Sequence, residues 1–267
     1  MLFFEHIFPY ISVAIFFFGA AYKLFRWFTT PSPFPLTVFP APGNRSDRSL
    51  FFLKEVLFFN SLYRHSRLLW LLSWVMHLSL GLIIIGHITG IYFLGKQFTT
   101  LGMSPGASLA LSNSLGMVTG VIFLISLTGL TAHRLFYAEA RVTSDLTNYF
   151  ELALLAGIAV TGTFLRLSIT APDLELIRDY ITSLLFFHPA AIPAIPWFFW
   201  HFILFNALII YLPYSKLGHW LGGWIIRLML TEPPPEYPTP AGKLPRSSFA
   251  APVNNDIQSP KSTTTMR

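Results

Sequence analysis

The sequence predicts an all-α fold: an integral membrane bundle of five transmembrane helices, with the N-terminus outside and the C-terminus cytoplasmic. Three observations carry this reading. Hydrophobic residues make up 53% of the 267-residue chain against 11% charged ones, and no ten-residue alternation typical of a membrane β-barrel recurs. Five apolar stretches, about 6–28, 68–94, 113–135, 148–169 and 197–219, reach the roughly 20 residues that a helix needs to cross a bilayer. Lys and Arg also fall unevenly between alternate connections, and basic residues are retained on the cytoplasmic side.

The first stretch reads as a retained span, because residues 1–4 carry no basic residue and no small-residue cleavage site precedes Lys23 and Arg26. After it, Arg45, Arg48, Lys54, Arg64 and Arg67 lie in a connection that opens with a Pro-rich loop at 31–48. The segment SLFFLKEVLFFNSLYR that follows repeats apolar residues at three and four, which predicts a helix lying along the interface and not a span. The second span leads to Lys96, alone in its connection. The third leads to Arg134 and Arg141. Between the fourth and fifth spans, PDLELIRDYITSLLFF predicts a short outer helix, with Arg166 and Arg178 the only basic residues in that connection. Lys216, Arg227, Lys243, Arg246, Lys261 and Arg267 follow the last span, so fifteen basic residues flank one side against three on the other. Residues 1–230 are expected to form one domain. Residues 231–267, rich in Pro, Ser and Thr, cannot bury a core and are expected to be disordered or ordered on a partner.

The net charge of +6 is explained by these membrane flanks, so no nucleic-acid partner is implied. The chain has no Cys. A disulfide framework, a covalently attached c-type haem and a cysteine-ligated iron–sulfur cluster within this chain are therefore excluded.

The candidate functional residues are four intramembrane histidines. Ionisable groups at bilayer depth are costly and usually functional, and neutral imidazole is the commonest biological metal ligand. His77 and His87 lie in the second span, about 15 Å apart along a regular helix, and His201 and His219 in the last stretch, about 27 Å apart on one face. The two spans run in opposite directions. His77 therefore pairs with His219 near the cytoplasm and His87 with His201 near the outer face, with a mismatch of roughly 12 Å to be shared by tilt and a kink at Pro213. Two bis-histidine iron porphyrins are the expected cofactors.

Gly81, Gly86 and Gly90 would let a flat porphyrin approach the backbone, or serve ordinary helix packing. Gly116 and Gly120 read as a small-xxx-small contact. His6, His65, His133 and His188 are assigned to the headgroup region or to a propionate. Arg134, Arg67 and Lys216 are positioned for the inner propionates. Two rival classes are a proton-coupled transporter using the histidines and a haem-free membrane anchor. The sequence has no inverted repeat and no acidic residue at a span centre to favour the transporter.

The stretch HLSLGLIIIGHITG, from His77 to Gly90, closely resembles the second span of the respiratory nitrate reductase gamma subunit. The last stretch, with His201 and then LPYSKLGH ending at His219, is similar to that family's last span. EHIFPYISVAIFFFG and RLFYAEARVTSDL extend the resemblance over about residues 4–230. It implies a five-span di-haem cytochrome b in a prokaryotic cytoplasmic membrane that takes electrons from quinol, such as menaquinol, near the outer face. A cytoplasmic iron–sulfur subunit would receive them. His77 and His219 would ligate the inner, higher-potential haem b, and His87 and His201 the outer, lower-potential one. Where that family carries a lysine beside its quinol site, this chain has Ser108, with Lys96 the only basic residue nearby, so the resemblance makes Lys96, Tyr92 and Ser108 the candidates for a quinone pocket beside the outer pair. The interfacial segment and the Pro-rich tail look more like relatives in the membrane complex linked to dissimilatory sulfite reduction, or membrane heterodisulfide reductases. The partner would then resemble the heterodisulfide reductase catalytic subunit, in preference to a nitrate-reductase-beta-like one.

Overall fold

Five long apolar helices make up the framework of the computed structural model, which describes residues 3–30 and 45–230. Of the Pro-rich loop at 31–48, residues 31–44 lie outside the described residues, as does the C-terminal tail at 231–267, while 45–48 open the first interfacial helix. Among the described residues there is no strand.

A π-helical turn, Phe3–Ile7, feeds α1 (Phe8–Thr29), where Pro9 occupies the first turn. An amide missing there breaks no helical hydrogen bond. The interfacial segment forms α2 (Arg45–Phe58) and α3 (Asn60–His65), divided at Phe59, whose φ of 48° is left-handed. Helices leave their last carbonyls without partners. The indole N–H groups of Trp70 and Trp74 donate to the Phe58 and Leu57 carbonyls at 2.7 and 2.9 Å, pinning the end of α2 to the next helix.

That helix, α4 (Arg67–Phe93), starts at Ser66, whose Oγ accepts the Leu69 N–H, and stops at left-handed Leu94 and Gly95. α5 (Pro105–Phe136) is capped by Ser104 with Pro105 following. This strong start signal places its beginning eight residues before the predicted 113 and draws Ser108 and Ser112 into the helix. α6 (Ala138–Val142) is a short turn, and Asp145 then caps α7 (Leu146–Ser168) by accepting the Asn148 N–H. The predicted outer helix is α8 (Ala171–Leu185), opened by the Asp173 carboxylate accepting from both N–H and hydroxyl of Thr170.

The last apolar stretch departs from the sequence expectation. It is not one regular helix to His219: α9 (Pro196–Tyr211) gives way to 3₁₀ turns at Leu212–Tyr214 and Lys216–Gly218, and His219 begins α10 (His219–Leu230). Pro213 has no N–H and its ring collides with the preceding turn. The straight 27 Å projection therefore does not apply.

In space, α4 packs on α5, α5 on α7, α7 on α9 and α9 on α1. α4 and α9 face each other across an interval bridged by side chains. Phe123, Leu127 and Leu155 fill the centre, with Met76, Leu80 and Leu208 against them. A second cluster, Ile177, Tyr180, Phe198 and Phe202, seats α8 on the bundle. Between helices in lipid, close van der Waals packing replaces the hydrophobic driving force. Small residues supply it here: Gly129 admits Leu72, Gly120 faces Thr163 and Gly116 makes room for the Arg166 guanidinium.

Candidate functional site

The interval between α4 and α9 holds the four histidines in two pairs. His77 and His219 have ring centroids 6.0 Å apart with planes at 70°, and His87 and His201 are also 6.0 Å apart, at 12°. The break at Pro213 brings His219 level with His77, which a straight α9 could not do.

Each imidazole is oriented by its Nδ1. His77 and His87 donate to the carbonyls of Ser73 and Ile83 in their own helix, both at 2.7 Å, and His219 to Lys216 at 3.1 Å. His201 reaches across to α7, where its Nδ1 lies 3.0 Å from the Ile158 carbonyl and 3.2 Å from Thr161 Oγ1. Gly162 gives it room, since a Cβ there would stand 2.9 Å from the ring. An Nδ1–H committed to a carbonyl fixes the tautomer and leaves the Nε2 lone pair for a metal.

These features suit a porphyrin. Two metal–nitrogen bonds of about 2.0 Å plus the distance of about 1 Å from the nitrogen to the centre of each imidazole ring give roughly 6 Å between ring centres, matching both pairs. Among the described residues no group of three or more His, Cys, Asp or Glu could hold a metal ion. A bare ion would lack ligands in either pair, whereas a porphyrin brings four nitrogens of its own. A Cβ added at Gly81, Gly86 or Gly90 would meet nothing within 4 Å, so these glycines border open space and not a neighbouring helix.

The cations expected near the inner pair have other engagements. Arg134 donates to Ser144 Oγ at 2.9 Å, Arg67 lies 5.8 Å over the Tyr63 ring, and Lys216 Nζ contacts Asp145 at 2.7 Å and Asn148 at 2.9 Å. The Lys216 bond, with help from the Asn148 N–H, holds the Asp145 carboxyl below its usual range. Lys23 is the residue that sequence reasoning missed. Its ammonium donates to the Pro213 carbonyl at 3.1 Å and lines, with His219 and Trp27, a cleft of about 460 Å³. Gly19, Lys23 and Trp27 recur every fourth residue, which was the available signal for one working face of α1.

At the other end, Ser108 is buried with its Oγ accepting the Phe98 N–H and donating to the Gly95 carbonyl, both at 3.0 Å. It fastens the turn Gln97–Leu101. Tyr92 and Lys96 are exposed. Sequence reasoning counted Arg166 as a flanking charge only. Here it donates to the Ser112 carbonyl at 3.1 Å, and Gln97, whose Oε1 is buried without a partner, donates to Ser112 Oγ at 2.9 Å. Among the other histidines, His133 stacks on Tyr137, His6 lies 4.0 Å from Glu5, His188 bonds the Phe186 carbonyl and His65 borders a separate cleft with Glu55.

Fold and site together define an all-helical multi-pass membrane protein whose histidines meet in facing pairs. The chain belongs to the nitrate reductase gamma subunit family, whose profile matches residues 60–229. It is also similar to an Hdr-like menaquinol oxidoreductase cytochrome b-like subunit of Archaeoglobus fulgidus. The two are 27% identical over an alignment of 249 residues covering 79% of this chain and 74% of the relative. A protein of the same name from Archaeoglobus profundus is 29% identical over 253 residues, covering 81% and 75%.

Proposed function

We propose that this protein is a membrane cytochrome b subunit that transfers electrons between a quinol pool and an iron–sulfur partner in the cytoplasm. The observation that carries the reading is the two histidine pairs, each at 6.0 Å with every Nδ1 turned to a carbonyl. His77 with His219, and His87 with His201, would each hold one haem b. A haem bound from both sides supplies a one-electron carrier with no open position for oxygen or substrate.

The chain's residues then do three things. The backbone carbonyls orient each imidazole and leave its Nε2 turned away from them. Gly86 and its neighbours leave the porphyrin face uncovered, and Lys23 offers the inner propionates an ammonium, in addition to Arg134. The positive-inside distribution supports an outer N-terminus, with His77 and His219 toward the cytoplasm.

The relatives' name, Hdr-like menaquinol oxidoreductase cytochrome b-like subunit, supports menaquinol as electron donor and a heterodisulfide-reductase-like partner, and with them the sulfur-linked complex in preference to nitrate reduction. Lys96, Tyr92 and Ser108 mark the region where quinol would approach the outer pair. The setting is a prokaryotic cytoplasmic membrane. A reduced-minus-oxidised spectrum of the purified protein tests the reading against the anchor and transporter alternatives. A b-type α-band at two haems per chain is expected, and a featureless difference spectrum would overturn it.

A further inference from the structure

Lys216 is the most tightly held residue near the histidines, and one face of α7 holds it. Asp145, Asn148 and Glu151 recur every third residue along that helix. Asp145 and Asn148 take the Lys216 ammonium, and Glu151 Oε1 accepts the Lys216 backbone N–H at 2.9 Å. The Lys216 carbonyl is in turn the acceptor for His219 Nδ1. The turn Lys216–Gly218 is a short 3₁₀ piece between the proline break and the start of α10, outside the regular hydrogen bonding of either helix. Its geometry therefore depends on what grips it from outside.

Glu151 is buried, at 7% exposure, and lies beside Tyr211. A side chain with this polarity is expensive to bury at membrane depth. Its packing role alone does not explain a carboxylate, because an amide would accept the same N–H. A carboxylate adds charge. With Asp145 it leaves two acidic groups against the single Lys216 ammonium, an excess of negative charge at the turn that leads into His219. Burial weakens solvent screening, so Glu151 acts more strongly than exposed Asp145.

We infer that Glu151 is a positioning residue for the His77/His219 pair: through Lys216 it fixes the carbonyl that aims His219, and its charge lowers the reduction potential of that pair. Outer-sphere partners of ligating histidines commonly control ligand orientation and basicity. The inference rests on the haem reading above. Negative charge favours the oxidised, more positive state of an iron centre, so its removal raises the potential.

The test is an optical redox titration of the full chain in native membranes. The couple belonging to His219 is identified as the one lost in a His219→Ala variant. Glu151→Gln keeps the acceptor and removes the charge. It is expected to retain both haems and shift the reduction equilibrium of that couple upward by about tenfold, which is about 59 mV for one electron, with the other couple unmoved. Glu151→Ala, lacking the acceptor, is expected also to lose haem from that pair, and Asp145→Asn to shift it less than Glu151→Gln. Native potentials in Glu151→Gln, or equal shifts of both couples, would overturn the inference. A native protein with no b-type band would instead remove the reading on which it stands.

Discussion

Gly86→Ala separates a cofactor-filled interval from an empty one, because the two cases predict opposite signs. In the polypeptide, a Cβ at position 86 meets nothing within 4 Å, although the residue lies inside α4 beside His87. With no cofactor, only helix propensity operates, and Ala exceeds Gly by about 0.8–1.0 kcal/mol. For a chain of this size that corresponds to a rise in Tm of about 2–4 °C. With a porphyrin against the backbone, the added methyl overpacks the contact, at about 1–3 kcal/mol. At 1.4 kcal/mol per tenfold, haem affinity at that pair would fall between about fivefold and a hundredfold. The assay is haem per polypeptide in detergent-purified protein, read beside thermal unfolding of the same sample. Loss confined to one of two haems is expected. A variant with its full haem complement and a raised Tm would refute the assignment of the space beside Gly86 to a cofactor.

Further outcomes follow from the same geometry. His87→Ala should lose about half the haem, not all, since His77 and His219 form a separate pair; complete loss by difference spectroscopy would contradict two independent sites. Tyr180 donates to the Glu5 carbonyl at 2.9 Å, and burial, with Glu5 and Tyr10 nearby, pushes its phenol up to about 12. Its contribution to stability is full below about pH 10 and is lost as pH rises through 12; Tyr180→Phe should cost about 1 kcal/mol and flatten this alkaline loss in unfolding curves. Asp145 is depressed, so its contribution is present above the usual carboxylate range and lost as pH falls below it. Asp145→Asn should remove that acid-side slope, measured by thermal unfolding between neutral and acidic pH. Quinol oxidation at the outer face should release protons outside, and acidification of the cytoplasmic side of oriented vesicles would contradict the proposed direction.

The spans were legible because hydropathy is a local property. The observed α1, α4 and α7 agree with the predicted stretches to within about two residues, disregarding the Phe3–Ile7 turn. α5 began early because Ser104 and Pro105 are a stronger start than the onset of hydrophobicity. The ends of the last stretch were harder to read: Pro213 announced a break, but where the chain resumes depends on Glu151 and Lys216 meeting across 65 positions. The pairing of the histidines was visible from helix direction and depth order. The partners around them were not, because a lysine such as Lys23 or an arginine such as Arg166 looks in sequence like any membrane-flanking charge. Ser108 illustrates the converse case: a position singled out by comparison proved to have both its donor and acceptor capacities used in fastening a turn.

The interval between α4 and α9 has a consequence for biogenesis. α4 is the second span to leave the ribosome, and residues 201 and 219 are near the last of the bundle. Neither histidine pair exists until α9 and the start of α10 have been made, so a haem held by both histidines of a pair could not be loaded before then. Until then α4 is fastened within the bundle chiefly through α5. Haem insertion would act as the clasp that closes the ring, and a cell short of haem would accumulate an open bundle exposed to membrane proteases.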